Sequence, residues 1–320
     1  MPFLLPKPLA STLTQKRYSS HPPATQPSGQ KGRKKVTLQK LNSLYAAKEP
    51  IATITAHDYP SGVFADKAHV ELCLVGDSLA MVALGYDSTN QITLDEMLHH
   101  CRAVSRGAKH PFLVGDLPFG TYERSPDQAL ETSIRFIREG HMDAVKLEGG
   151  MEMEETVKKI TTVGIPVLGH IGLTPQRHTA LSGFKVQGKT LEKARLLLED
   201  ALALQSVGCF AIVLEAIPEP VATFITSQLR IPTIGIGAGS GCSGQVLVQL
   251  DALGAYDRLM PKFCKVFSQV GQASIAGLQE YVKEVKSRTF PDLQQHTYSM
   301  DPEELKKFNE WKEGFSPSSR

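Results

Sequence analysis

The stretch "ELCLVGDSL", residues 71–79, decides how the rest of the chain is read. An apolar run stops at Gly76 and delivers a carboxylate, Asp77, and a hydroxyl, Ser78. One such ending is an ordinary loop start, but the same grammar returns along the chain. Short apolar or β-branched runs occupy residues 51–56, 72–76, 112–115, 144–147, 166–169, 210–214, 232–236 and, least clearly, 246–250. Each reads as apolar throughout instead of alternating, which predicts parallel strands covered on both faces.

Segments of helical character separate these runs. Residues 126–139 follow Ser125, a good N-cap, and begin with proline; residues 190–207 carry leucines at helical spacing and stop at Gly208. About eight strands with intervening helices are the arithmetic of an α/β (β/α)8 TIM barrel. An open doubly wound sheet is the competing arrangement. The eighth strand is the weakest, with residues 258–260 as its alternative place. The domain reading is a basic leader over 1–36, a barrel over 37–286 and a C-terminal extension over 287–320 that ends in a short charged helix, 302–312.

Composition narrows the function classes. The chain has 320 residues, 41% hydrophobic and 21% charged, ordinary for a globular protein. It has no apolar run long enough to cross a membrane as a helix. Its five cysteines form no C-x-x-C pair, which argues against a disulfide framework or a structural zinc site and fits a reducing compartment. The formal charge of +2 hides an asymmetry. No acidic residue precedes Glu49, while Lys7, Lys16, Arg17, Lys31, Arg33, Lys34 and Lys35 crowd the beginning. Without them the body is net acidic, so nucleic acid and anionic membrane lose their electrostatic motive as partners. The leader itself is basic, acid-free and rich in Ser and Thr, the composition of a mitochondrial transit peptide; a merely basic tail is the alternative.

In a parallel barrel the carboxyl ends of the strands converge on one mouth. The runs deliver Asp77 and Ser78, Asp116, Lys146 and Glu148, His170, and Glu215 there. Isolated charges are too costly to bury, so these groups are paired, solvated or bound to a cation. Two or three carboxylates plus water suit Mg²⁺, with Asp77 and Asp116 as leading ligands and Glu148 direct or through water. Taken singly, each aspartate also reads as a helix N-cap. Lys146 reads as an ion-pair partner of Glu148 or as a grip on a substrate carboxylate; a Schiff-base role is weakened by its acidic neighbours. His170 reads as a core histidine unless its neighbours recruit it, and apolar flanks raise Glu215 toward general-base duty. The glycine-rich "GIGAGSGCSGQ", 235–245, contains G-x-G-x-x-G, yet residues 258–279 offer no acidic group for a ribose, so the dinucleotide reading fails. The loop then serves close backbone approach to a ligand or a tight turn.

Taken in order, "LVGDSL" (74–79), "DLPF" (116–119), "VKLEGG" (145–150), "GHIGLTPQ" (169–176), "GFKVQGK" (183–189), "LEAIP" (214–218) and "IGIGAG" (234–239) resemble ketopantoate hydroxymethyltransferase over residues 36–265. The resemblance implies a (β/α)8 barrel of the phosphoenolpyruvate/pyruvate-binding type. It implies transfer of a hydroxymethyl group from 5,10-methylenetetrahydrofolate to 3-methyl-2-oxobutanoate, giving 2-dehydropantoate for pantothenate and coenzyme A synthesis. It also implies Mg²⁺ on Asp77, Asp116 and Glu148, an oxoacid touched by Asp77, Ser78, Asp116, Lys146 and His170, and Glu215 as proton acceptor. A homo-oligomer, a decamer in this family, and a mitochondrial-matrix location are further implications. His57, in "TAHDYPSG", departs from the tyrosine common there. The rivals are a Mg²⁺-dependent lyase or mutase on a 2-oxoacid and a non-catalytic binding barrel; folate dependence and oxoacid C3 exchange separate them.

Overall fold

The structure is a computed structural model that describes residues 33–256 and 261–315. Most of the leader, residues 1–32, and the alternative eighth strand at 258–260 lie outside the described residues. The chain first forms α1 (Leu38–Ala46), β1 (Ile51–Thr55), α2 (Tyr59–Lys67), β2 (Leu72–Val75), α3 (Leu79–Val82), α4 (Leu94–Gly107) and β3 (Phe112–Asp116). It continues with α5 (Pro126–Arg138), β4 (Ala144–Glu148), α6 (Glu154–Thr162), β5 (Val167–Gly172), α7 (Leu191–Ser206) and β6 (Ala211–Glu215). Last come α8 (Glu219–Gln228), β7 (Thr233–Ile236), β8 (Gly244–Leu247), α9 (Gln249–Ala252), α10 (Val270–Ser287) and α11 (Pro302–Gly314). The eight strands pair in sequence, and β8 pairs back to β1, all parallel. The barrel is closed, which disposes of the open-sheet alternative.

Local chemistry sets the helix starts. Ser125 accepts a hydrogen bond from the Gln128 N–H, and Thr190 accepts one from Lys193. Thr93 and Glu96 form a reciprocal capping box ahead of α4. Two layers of core follow from strand periodicity. Inward side chains such as Leu72, Leu74, Phe112, Val114, Ala144, Leu168, Ala211 and Val213 fill the barrel, joined by Leu41 and Leu44 of α1. Outward ones such as Cys73, Val75, Leu113, Val145, Leu147, Ile212 and Leu214 pack under the helices.

Two strands depart from the uniformly apolar reading. In β1 and β8 burial alternates, and the paired residues Ala52 and Gln245 are both exposed. The physical reason is coverage. A loop instead of a helix joins β7 to β8, and α10, the long helix that follows β8, buries no residue. The glycine-rich loop runs against α8: a Cβ on Gly239 would collide with Glu219, and one on Gly241 with Thr223. Close backbone packing, not a ligand, accounts for those two glycines. His57 lies just past β1, where its N–H donates to Ser61 Oγ and its carbonyl meets His100 Nδ1.

Candidate active site

Strand parity builds the site. On β3, Phe112 and Val114 point inward, so Asp116 does too; on β4 the same two-residue step carries Ala144 to Lys146 and Glu148. Leu168 leads to His170 on β5, and Ala211 and Val213 lead to Glu215 on β6. Register aligns them, with Asp116 opposite Lys146 and Glu148 opposite His170. Apolar layers thus fill the lower barrel and ionisable ones its upper end. Lys146 lies inside the run read at 144–147, whereas His170 falls within its strand because β5 continues to Gly172, past the run at 166–169.

The structure brings all six ionisable strand-end residues within 4.0 Å of another member of the set. Lys146 Nζ lies 2.7 Å from both Asp116 oxygens and 4.0 Å from Glu148 Oε1, so the ion pair expected with Glu148 is present but long, and Asp116 is the closer partner. The Asp77 N–H donates to Asp116 Oδ2 at 3.2 Å. His170 spans two acids, with Nδ1 3.5 Å from Glu148 Oε1 and Nε2 3.2 Å from Glu215 Oε2. Ser78 is half-buried at the start of α3, and its hydroxyl makes no capping bond. The N-cap alternative fails for both aspartates: Ser78 and Ser125 hold the cap positions of α3 and α5, leaving Asp77 and Asp116 to one another.

Electrostatics follow from burial. Asp77, Asp116, Lys146, Glu148 and His170 are all buried. Four carboxyl groups face one lysine. Burial and the neighbouring Asp116 push Asp77 up to about 7, while Lys146 and the Gln176 amide oppose the rise. Burial raises Glu148 well above the usual carboxylate range, with Lys146 opposing and Asp77, Asp116 and Glu215 adding to it. Burial pushes Glu215 up to about 8, again against Lys146. Burial alone would lower Lys146, but Asp116, Glu148 and Asp77 outweigh it and hold the ammonium charged. Burial, then Lys146, keeps the His170 ring neutral. A charged Lys146 is a poor nucleophile toward a carbonyl, which weighs against the Schiff-base role.

The donor set fits a hard divalent cation. Glu148 Oε1 and both His170 nitrogens are buried without an aligned hydrogen-bond partner, despite their proximity. Excess negative charge with an orphaned carboxylate oxygen is what a cation relieves. Among the described residues no three His, Cys, Asp or Glu side chains form a ready-made cage.

Two residues in the site carry no ionisable signature in the sequence. Gln176, in a short turn after β5, donates from Nε2 to Asp77 Oδ2 and from its backbone N–H to Glu148 Oε2. Tyr122, after β3, donates to Gln176 Oε1 and accepts from the Glu148 N–H. Gln176 closes the motif "GHIGLTPQ", the one signal that pointed to it.

A closed parallel barrel whose mouth is lined by acids around a single lysine defines a class: TIM-barrel enzymes with their chemistry at the carboxyl ends of the strands. The fold is shared with phosphonopyruvate hydrolase solved with oxalate and Mg²⁺, at a TM-score of 0.53 and 10% identity over 87% of this chain and 96% of that one. Within the class, residues 35–293 match the model of the ketopantoate hydroxymethyltransferase family, and the chain belongs to that family. It is 54% identical to 3-methyl-2-oxobutanoate hydroxymethyltransferase of Emericella nidulans, covering 91% of this chain and 84% of the relative. It is 50% identical to the enzyme named 3-methyl-2-oxobutanoate hydroxymethyltransferase 1, mitochondrial, of Arabidopsis thaliana, covering 88% and 83%.

Proposed function

We propose that the barrel mouth transfers a hydroxymethyl group from 5,10-methylenetetrahydrofolate to 3-methyl-2-oxobutanoate, giving 2-dehydropantoate. The supporting observation is the gathering of Asp77, Asp116, Glu148 and Glu215 around Lys146, in a chain of this family. The balance is simple. A C3–H bond of the oxoacid, the two C–N bonds of the folate methylene and one water become a C3–CH₂OH group and tetrahydrofolate, whose two nitrogens receive the C3 proton and a water proton.

Asp77 and Asp116 would hold Mg²⁺, with Glu148 supporting it, and the bound ion would supply Lewis-acid polarisation that acidifies C3–H. Lys146, kept charged by its acidic neighbours, offsets the substrate carboxylate. Ser78 and His170 lie where they can flank the oxoacid, and the neutral His170 ring beside Glu215 orients the base. Glu215 takes the proton from C3, since burial raises its basicity well beyond that of an exposed carboxylate.

A homo-oligomer and a mitochondrial-matrix location complete the reading. The exposed β8–β1 seam and the stripe Ile275, Leu278, Tyr281, Val282 and Val285 on α10 support the first. The acid-free leader and the mitochondrial plant relative support the second. The test of the activity is 2-dehydropantoate formation with each component withheld in turn. Product should require both methylenetetrahydrofolate and Mg²⁺; turnover of the oxoacid without folate would favour a lyase instead.

A further inference from the structure

Gln176 is buried, and each of its polar atoms is engaged by a different part of the mouth. Its N–H donates to Glu148 Oε2 at 3.1 Å, and its carbonyl accepts from Asn90 Nδ2 at 2.9 Å. Its Nε2 donates to Asp77 Oδ2 and to the Leu117 carbonyl, both at 2.9 Å. Its Oε1 accepts from the Tyr122 hydroxyl at 2.5 Å.

The amide cannot be turned over. The Leu117 carbonyl only accepts, so the atom facing it must be the nitrogen. The Tyr122 oxygen receives the Glu148 N–H at 3.3 Å, which leaves the phenol hydrogen for Gln176 Oε1. One oxygen of Asp77 and one of Glu148 are therefore taken by a single fixed side chain and its backbone. The other Glu148 oxygen, Oε1, is the orphaned one.

We propose that Gln176, braced by Tyr122, is the positioning residue of the cation site: it clamps one oxygen each of Asp77 and Glu148, fixing the direction of both carboxylates and leaving Glu148 Oε1 open to a divalent ion. The proposal rests on the metal reading given above. Groups that orient metal ligands typically contribute about 10–100-fold to metal affinity.

The test uses the full-length protein without substrate and Mn²⁺ as the probe, with free Mn²⁺ read from its electron paramagnetic resonance signal. Gln176→Met should bind Mn²⁺ at least about tenfold more weakly than the parent, and Tyr122→Phe should shift in the same direction by less. Far-UV circular dichroism of the chelator-treated proteins establishes that the fold persists. If Gln176→Met does not fold, Tyr122→Phe decides by a loss of more than about twofold. Folded variants that bind Mn²⁺ as the parent does would overturn the positioning role. A parent that binds no Mn²⁺ would overturn the metal reading itself, a distinct result.

Discussion

Glu215 is the residue on which burial and a distant ammonium pull in opposite directions. Burial wins and pushes the group up to about 8. The working form of a base is the carboxylate, so its population grows as pH rises through that value. kcat/KM for the oxoacid should therefore climb with pH along a limb that lies above the usual carboxylate range and, because a bound cation favours the carboxylate, no higher than about 8, and Glu215→Gln should lose both the limb and most turnover. A flat profile across that range would remove Glu215 from the proton transfer. Asp116 carries a different load, since it faces Lys146 and the Asp77 N–H together. Asp116→Ala should lower kcat about 10²–10³-fold at saturating metal, measured by product formation. The strand-end acids, Lys146 and His170 were legible because ionisable groups closing apolar runs are conspicuous. Gln176 and Tyr122 were not: an amide and a phenol carry no charge signal, and only contact geometry reveals what they hold.

At the level of elements, α2 and α4 cross where both chains lack a side chain. A Cβ on Gly62 would lie 2.8 Å from the Val104 carbonyl, and one on Gly107 would collide with the Tyr59 carbonyl. The obstacles are backbone, which cannot rotate away. Gly107→Ala should therefore cost about 1–3 kcal/mol, read as a lower urea midpoint at unchanged m-value. The strands under this layer were readable as continuous apolar runs because helices cover them. The same rule blurred β1 and β8, whose outer faces lack that cover and whose residues alternate. The weak eighth run predicted at 246–250 overlaps the real strand, Gly244–Leu247, by only two residues. A glycine and an exposed glutamine occupy its first half, so no apolar signal begins there.

On the scale of the whole molecule, the barrel and its C-terminal helices have separate duties. α11 buries no residue and its hydrogen bonds are local, so deleting residues 297–320 should leave kcat/KM within about twofold. Deleting residues 268–320 also removes the apolar stripe of α10 and should shift the proposed homo-oligomer to smaller species, read by light scattering. On the proposed function, acids brought from separate strands to one mouth, with a divalent cation, make an oxoacid's C3–H acidic. Deuterium exchange at C3 of 3-methyl-2-oxobutanoate, followed by NMR without folate, reads that step alone. Exchange should need Mg²⁺ and disappear in Glu215→Gln. Exchange that survives chelation and this substitution, or no exchange in the intact metal-loaded protein, would contradict that function.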